Sequence, residues 1–217
     1  MKVSTEACLL GAWAPIGNAE RVLDIGTGTG LLALMLAQRQ PAATIDAVEI
    51  DEAAARQAAE NVAASPFADR IRVVKGTIQK YEAGDKKYDL IISNPPFYQQ
   101  SLRSPDAARS GVLHATTLTF SDLLDAVDRL LAPDGKFVVL LPKHETRYLL
   151  VKAAGRGLCL HKQLRVYPQP DGQLFRQISV LGRRIQSVRF QDLCIHDSSG
   201  NYALEYVRLL KEFYLKF

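Results

Sequence analysis

Short apolar runs alternate along this chain with segments whose apolar residues return every three or four positions. Arg21–Ile25, Thr44–Ile50, Arg70–Lys75 and Tyr88–Ser93 have the length and burial pattern of core strands. Between the first two, Leu31–Gln40 carries Leu31, Leu32, Leu34, Met35 and Leu36 with no proline before Pro41, and so predicts a buried helix. Asp51–Ala64, rich in Ala and Glu, predicts a helix by propensity. Further on, Ser121-Asp122 in N-cap position predicts a helix over Leu123–Leu131. Pro133-Asp134-Gly135 predicts a turn, Lys136–Leu141 a fifth strand, and Glu145–Ala154 a helix ending at Gly155. Leu160–Tyr167 and Leu174–Leu181, joined across residues 168–172, predict a hairpin. Strand–helix alternation with short connections implies an α/β fold: a mostly parallel sheet of these seven strands, covered on both faces by helices, with an antiparallel strand from the closing hairpin. Residues 97–120 are the one long stretch without clear periodicity, and a loop of that length in a domain is usually functional or disordered.

Composition narrows the class. With 217 residues, 47% hydrophobic and 23% charged, the chain fits one large globular domain. No apolar run approaches the roughly 20 residues of a membrane span, and the first residues do not have the form of a signal peptide. Cys8, Cys159 and Cys194 are too scattered for a zinc site or a disulfide framework, so no metal is expected and a reducing cytoplasm is the simplest setting. Charge is divided unevenly. Residues 1–142 hold 14 basic against 17 acidic side chains, and residues 143–217 hold 13 against 6. The basic C-terminal third suits a polyanion such as nucleic acid, or simply a solvated surface.

Two motifs carry chemistry. The first strand runs into Asp24-Ile25-Gly26-Thr27-Gly28-Thr29-Gly30. Glycines there permit a tight turn and close approach of a ligand to the backbone, and the following helix points free N–H groups at that ligand. Glu49, 19 residues beyond Gly30 at the end of the second strand, is placed to accept from two ribose hydroxyls. A ligand-free turn and a nicotinamide site both fit this loop. An acid two positions before three alternating glycines favours S-adenosylmethionine, a cofactor with a cationic sulfonium and amino group and no pyrophosphate.

The second motif is Asn94-Pro95-Pro96-Phe97, directly after the fourth strand. Both prolines have a fixed φ, and each restricts the residue before it, so the corner is rigid. Its polar groups match a planar NH2: the Asn94 side-chain oxygen takes one hydrogen and the Pro95 carbonyl the other. Two acceptors draw such a nitrogen towards tetrahedral geometry and help localise its lone pair. Phe97 offers a ring on which a flipped-out base stacks, worth about 1–3 kcal/mol. Read with the glycine loop, the corner implies methyl transfer to a planar nitrogen.

These motifs resemble the Rossmann-like class I methyltransferases that act on planar nitrogens, and more closely the bacterial tRNA1(Val) adenine-N6 methyltransferases. The similarity extends over nearly the whole chain. It includes Met1-Lys2-Val3-Ser4-Thr5-Glu6, Leu9–Ala14, Ile45–Glu49, Asp89–Tyr98, Asn201-Tyr202 and Phe213-Tyr214-Leu215. The resemblance implies transfer of a methyl group from S-adenosylmethionine to N6 of the adenosine immediately 3′ of the anticodon, position 37 of the tRNA. It implies that Asp24, Gly26 and Gly28 line the methionine end of the cofactor, that Glu49 holds the ribose, and that Asn94 to Phe97 form the amine pocket. Lys2 and Thr5 fall in a segment that closes over the cofactor in relatives. Arg109 and His114 fall where relatives carry an Arg and a His, and substrate contact is expected of both. Thr77 stands where relatives often have an acid near the cofactor adenine. Relatives begin roughly two dozen residues earlier, so residues 1–217 are expected to form a single methyltransferase domain without a short N-terminal extension.

On this reading Lys162, Arg165, Arg183, Arg184 and Arg189 contact RNA phosphates, and a monomer is assumed. Methylation of a protein glutamine amide, or of another RNA base, remains the alternative, because each presents a planar nitrogen to the same corner.

Overall fold

A computed structural model describes residues 4–85, 87–96 and 118–217. The expected alternation is present: α1 (Thr5–Trp13), β1 (Arg21–Ile25), α2 (Leu31–Arg39), β2 (Thr44–Glu49), α3 (Glu52–Ala63), β3 (Ile71–Lys75), β4 (Tyr88–Ser93), α4 (Phe120–Leu130), β5 (Leu131–Leu141), α5 (Lys143–Ala154), β6 (Cys159–Tyr167), β7 (Arg176–Gly182), β8 (Arg189–Cys194) and α6 (Leu204–Leu210). The sheet runs β3-β2-β1-β4-β5-β7-β6-β8. β7 is antiparallel to both its neighbours, and every other pairing is parallel.

Among the described residues the sheet has eight strands where the sequence predicts seven. The added one, β8, pairs in parallel with β6 at the sheet edge and exposes four of its six residues. A mostly exposed strand carries little apolar alternation: Arg189-Phe190-Gln191-Asp192 gives none, and only Leu193 reaches the core. The helix at 120 also begins earlier than expected. Thr119, not Ser121 or Asp122, is its N-cap, and the Thr119 and Asp122 side chains each satisfy the other's backbone N–H in a capping box. The Pro133-Asp134-Gly135 turn is a bulge within β5: Tyr88 faces Leu131, and Leu90 faces Lys136. A Cβ on Gly135 would lie 2.8 Å from the Tyr88 carbonyl oxygen, so the bulge needs glycine there.

Two apolar layers form on opposite faces of the sheet because strand side chains alternate. Val22, Leu90 and Ile92 point into a layer built with Leu9, Leu10, Met35, Leu36 and Tyr206 from α1, α2 and α6. Leu23, Ile25 and Ile91 point into the other, with Leu123, Val127 and Leu149 from α4 and α5. Arg70 closes the end of α2, its guanidinium donating to the carbonyls of Ala37, Gln40 and Ala43. These layers hold β1 and β4 side by side, with Ile25 level with Ser93. Strand order reverses between them, which places a crevice at their C-terminal ends.

Candidate active site

Both motifs open into that crevice. After Ile25 the chain turns through Gly26, Gly28 and Gly30, with φ of 72°, 60° and 85°. An L side chain seldom adopts such angles, which is why alternating glycines occur here. The Gly26 and Thr27 amides donate to the Val48 carbonyl, tying the loop to the end of β2. Glu49 completes the tie: its two carboxylate oxygens accept from the Gly28 amide at 2.8 Å and the Asp51 amide at 2.9 Å. Each oxygen keeps a second acceptor site, so the buried carboxylate can still receive hydroxyls.

Asp24 is fully buried at the end of β1. Oδ2 accepts from the Thr27 hydroxyl at 2.5 Å, while Oδ1 has no hydrogen-bond partner among the described residues. Burial pushes this carboxyl up to about 7, and repulsion from Glu49 adds to the rise. The Thr27 hydroxyl opposes it, as does the nearby Ala33 N–H, which forms no hydrogen bond of normal geometry with the carboxylate. A buried acid with a spare oxygen, beside a second acid, is a receptor for a cation.

At the adjacent strand end, the Ser93 hydroxyl donates to the Ile25 carbonyl at 2.8 Å and pins β4 to β1. Asn94 follows, partly buried, and its Oδ1 is also buried without a partner among the described residues. Pro95 is buried and Pro96 exposed. β1 and β4 lie about 4.8 Å apart, so the two unpaired oxygens sit at neighbouring strand ends. One suits a cation and the other an N–H donor.

Thr77 follows β3, where the Gly76 amide donates to the Glu49 carbonyl. Beside it opens a groove of about 510 Å³ whose lining includes Val48, Val74 and Gly76. Asp24, Gly26, Gly28, Glu49, Thr77, Asn94, Pro95 and Pro96 thus converge at the C-terminal ends of four adjacent strands. Thr5 opens α1, is exposed, and lies beside the Tyr214 hydroxyl. Lys2, Phe97, Arg109 and His114 lie outside the described residues. Thr27 and Ser93 brace the site without any sequence signal for that role beyond adjoining Gly26, Gly28 and Asn94. Among the described residues no group of His, Cys, Asp or Glu could hold a metal ion, and no helix is long and apolar enough to cross a membrane.

Residues 7–153 match the methyltransferase small domain family. The chain is 45% identical to the tRNA1(Val) (adenine(37)-N6)-methyltransferase of Dyadobacter fermentans, in an alignment covering 100% of this chain and 92% of that protein. Against the Aeromonas hydrophila protein of the same description the identity is 45%, over 100% and 91%. The chain belongs to the tRNA1(Val) (adenine(37)-N6)-methyltransferase family. The fold agrees with that of the CcbJ methyltransferase of Streptomyces caelestis, at a TM-score of 0.60, 18% identity, and coverage of 83% of this chain and 96% of that one. In this family setting the chemistry of the crevice fits S-adenosylmethionine: Asp24 offers a buried carboxylate oxygen without a partner among the described residues, and Glu49 retains acceptor sites.

Proposed function

We propose that this chain methylates N6 of an adenosine in tRNA, the one at position 37 of tRNA1(Val), with S-adenosylmethionine as donor, in the cytoplasm. The supporting observation is the buried Oδ1 of Asn94 one strand away from Oδ1 of Asp24, both without a partner among the described residues. The relatives' activity supplies the substrate, and three free cysteines accord with a reducing compartment.

Asp24 holds the methionine end of the cofactor through its cationic groups, Gly26 and Gly28 let it approach the backbone, Glu49 takes the ribose, and Thr77 borders the adenine. When bound, S-adenosylmethionine supplies a methyl group on a positively charged sulfur. Asn94 Oδ1 and the Pro95 carbonyl accept the two hydrogens of the adenine amine, and Phe97 stacks on the base. Those acceptors sit where positive charge develops on nitrogen as its lone pair forms the new bond, and they hold the nitrogen in line. After transfer the nitrogen carries four bonds and a positive charge, so one of its two protons is acidic and passes to solvent water, and the corner needs no strong base. Ser93 and the two prolines are positioning residues that keep Asn94 in place.

The test incubates the protein with methyl-labelled S-adenosylmethionine and either total tRNA or total protein. Label is expected in tRNA1(Val), as N6-methyladenosine at position 37. Label in protein alone would identify a glutamine-amide methyltransferase and overturn the proposal.

A further inference from the structure

The opposite end of the sheet carries a second feature. Where β5, β6 and β8 begin and β7 ends, a cavity of about 440 Å³ opens, lined by Lys136, His161, Lys162, Arg183, Arg184 and Arg189. Its one acidic lining residue, Asp134, is engaged with Arg184 at 2.7 Å, and Arg183 is bound to Asp128 at 2.8 Å. Lys136, Lys162 and Arg189 have no acidic partner among the described residues.

The placement of these cations is costly. Lys162 and Arg189 face each other in register across the β6–β8 pair. Like charges directly opposite destabilise a sheet, and Lys162 is partly buried as well. Burial, and then repulsion from Arg189, hold its ammonium below the usual lysine range. Its remaining support is the Trp13 ring, 4.4 Å below the ammonium. The walls are also built. The His161 ring lies so close over Gly182 that a Cβ there would be 2.4 Å away, and its Nε2 is 2.7 Å from the Arg184 carbonyl. That contact holds the turn carrying Arg183 and Arg184.

The geometry points to a site for consecutive phosphates of an RNA backbone, distinct from the catalytic crevice. Lys136 on β5 and Arg189 on β8 are separated by three strand spacings, about 14 Å. With Lys162 on β6 between them, these cations form a row across the sheet, which suits a run of phosphates. Along the sheet, Lys136 is level with Leu90, four residues before Asn94, so the site begins about 13 Å from the corner and extends away from it. It therefore grips substrate without touching the reacting base: it sets affinity and not the rate of transfer. This inference rests on the reading of RNA as substrate.

The experiment measures binding of unmodified tRNA across a salt series by the full chain, the K136Q/R189Q variant, and an R56Q variant whose lost charge lies on exposed α3. Methylation at saturating tRNA is measured in parallel, and K136R/R189K controls for folding. The double variant is expected to bind about tenfold or more weakly, with the salt slope reduced by about two, an unchanged rate at saturation and unchanged S-adenosylmethionine affinity. The K136R/R189K protein should match the parent. An unaltered slope in K136Q/R189Q, or an equal loss in R56Q, overturns the site. If the double variant shows that loss of slope but the parent never methylates tRNA, the proposed function fails and the site stands.

Discussion

Replacing Asp24 by Asn should make the cofactor-free protein more stable at alkaline pH while removing its grip on the cofactor. Asp24 is fully buried with one oxygen unpaired, and its carboxyl titrates at about 7 instead of the ordinary 3.8. Raising a carboxyl that far costs its ionised form about 4 kcal/mol. The folded state keeps a proton that the unfolded chain releases near pH 4, so stability falls as pH rises from about 4 to about 7 and the full penalty holds above that. Between pH 5 and pH 8 this one group should remove about 3 kcal/mol from the parent and nothing from D24N. The new amide has its own unpaired hydrogens, which cost about 1–3 kcal/mol at every pH, so the net gain at pH 8 is smaller than the penalty relieved. Urea denaturation of both cofactor-free proteins at pH 5 and pH 8 measures the difference of differences, in which titrations common to both proteins cancel. Binding calorimetry supplies the other half. A cationic ligand selects the ionised form, so affinity for S-adenosylmethionine should rise with pH below 7, by at most about tenfold per pH unit, and level off above it. D24N should bind far more weakly and without that pH dependence. Equal stability slopes in the two proteins would refute the burial argument, and tight, pH-dependent cofactor binding by D24N would refute the assignment of Asp24 to the cationic end.

Replacing Asn94 by Ala removes the acceptor for the amine and is expected to lower the single-turnover rate by about 10²–10³, while calorimetry finds cofactor affinity within a few-fold of the parent; unchanged turnover would dismiss the two-acceptor mechanism. Glu49→Gln retains one acceptor oxygen for two backbone donors, so a stability loss of about 1–3 kcal/mol in denaturant should accompany weaker cofactor binding, and intact stability would show that the tie between loop and β2 is dispensable. Arg70→Met leaves the carbonyls of Ala37, Gln40 and Ala43 without their shared donor. A cost of about 2–4 kcal/mol is expected on thermal or urea unfolding, with methylation per folded molecule unchanged.

The convergence of most candidate site residues was legible because they are chemically conspicuous and follow strands. Asp24 precedes glycines that only a positive φ explains, Glu49 ends the next strand, and Asn94 is locked between a strand and two prolines. The roles of Thr27 and Ser93 were not legible, because a hydroxyl in a turn has no periodicity and acquires its function from the partner it meets. β8 escaped notice for a related reason: its pairing is made by backbone to β6, while four of its six residues are exposed. The expected start of α4 falls two to three positions late because Thr119, Ser121 and Asp122 are all good caps, and only the reciprocal bonds of Thr119 and Asp122 decide among them.

The chain's apolar periodicity, its glycine turn and its proline-fixed corner determine the α/β architecture and the class of chemistry, since burial and backbone preference act locally and are written in residue type. The tertiary structure alone decides what depends on which strands become neighbours. Pairing β1 with β4 brings two unpartnered oxygens to adjacent strand ends and makes a site of two motifs about 70 residues apart. Pairing β6 with β8 sets Lys162 against Arg189 and gathers dispersed cations into one cavity at the far end of the sheet. Neighbourhood across a sheet comes from the folding of the whole chain, and no local pattern encodes it.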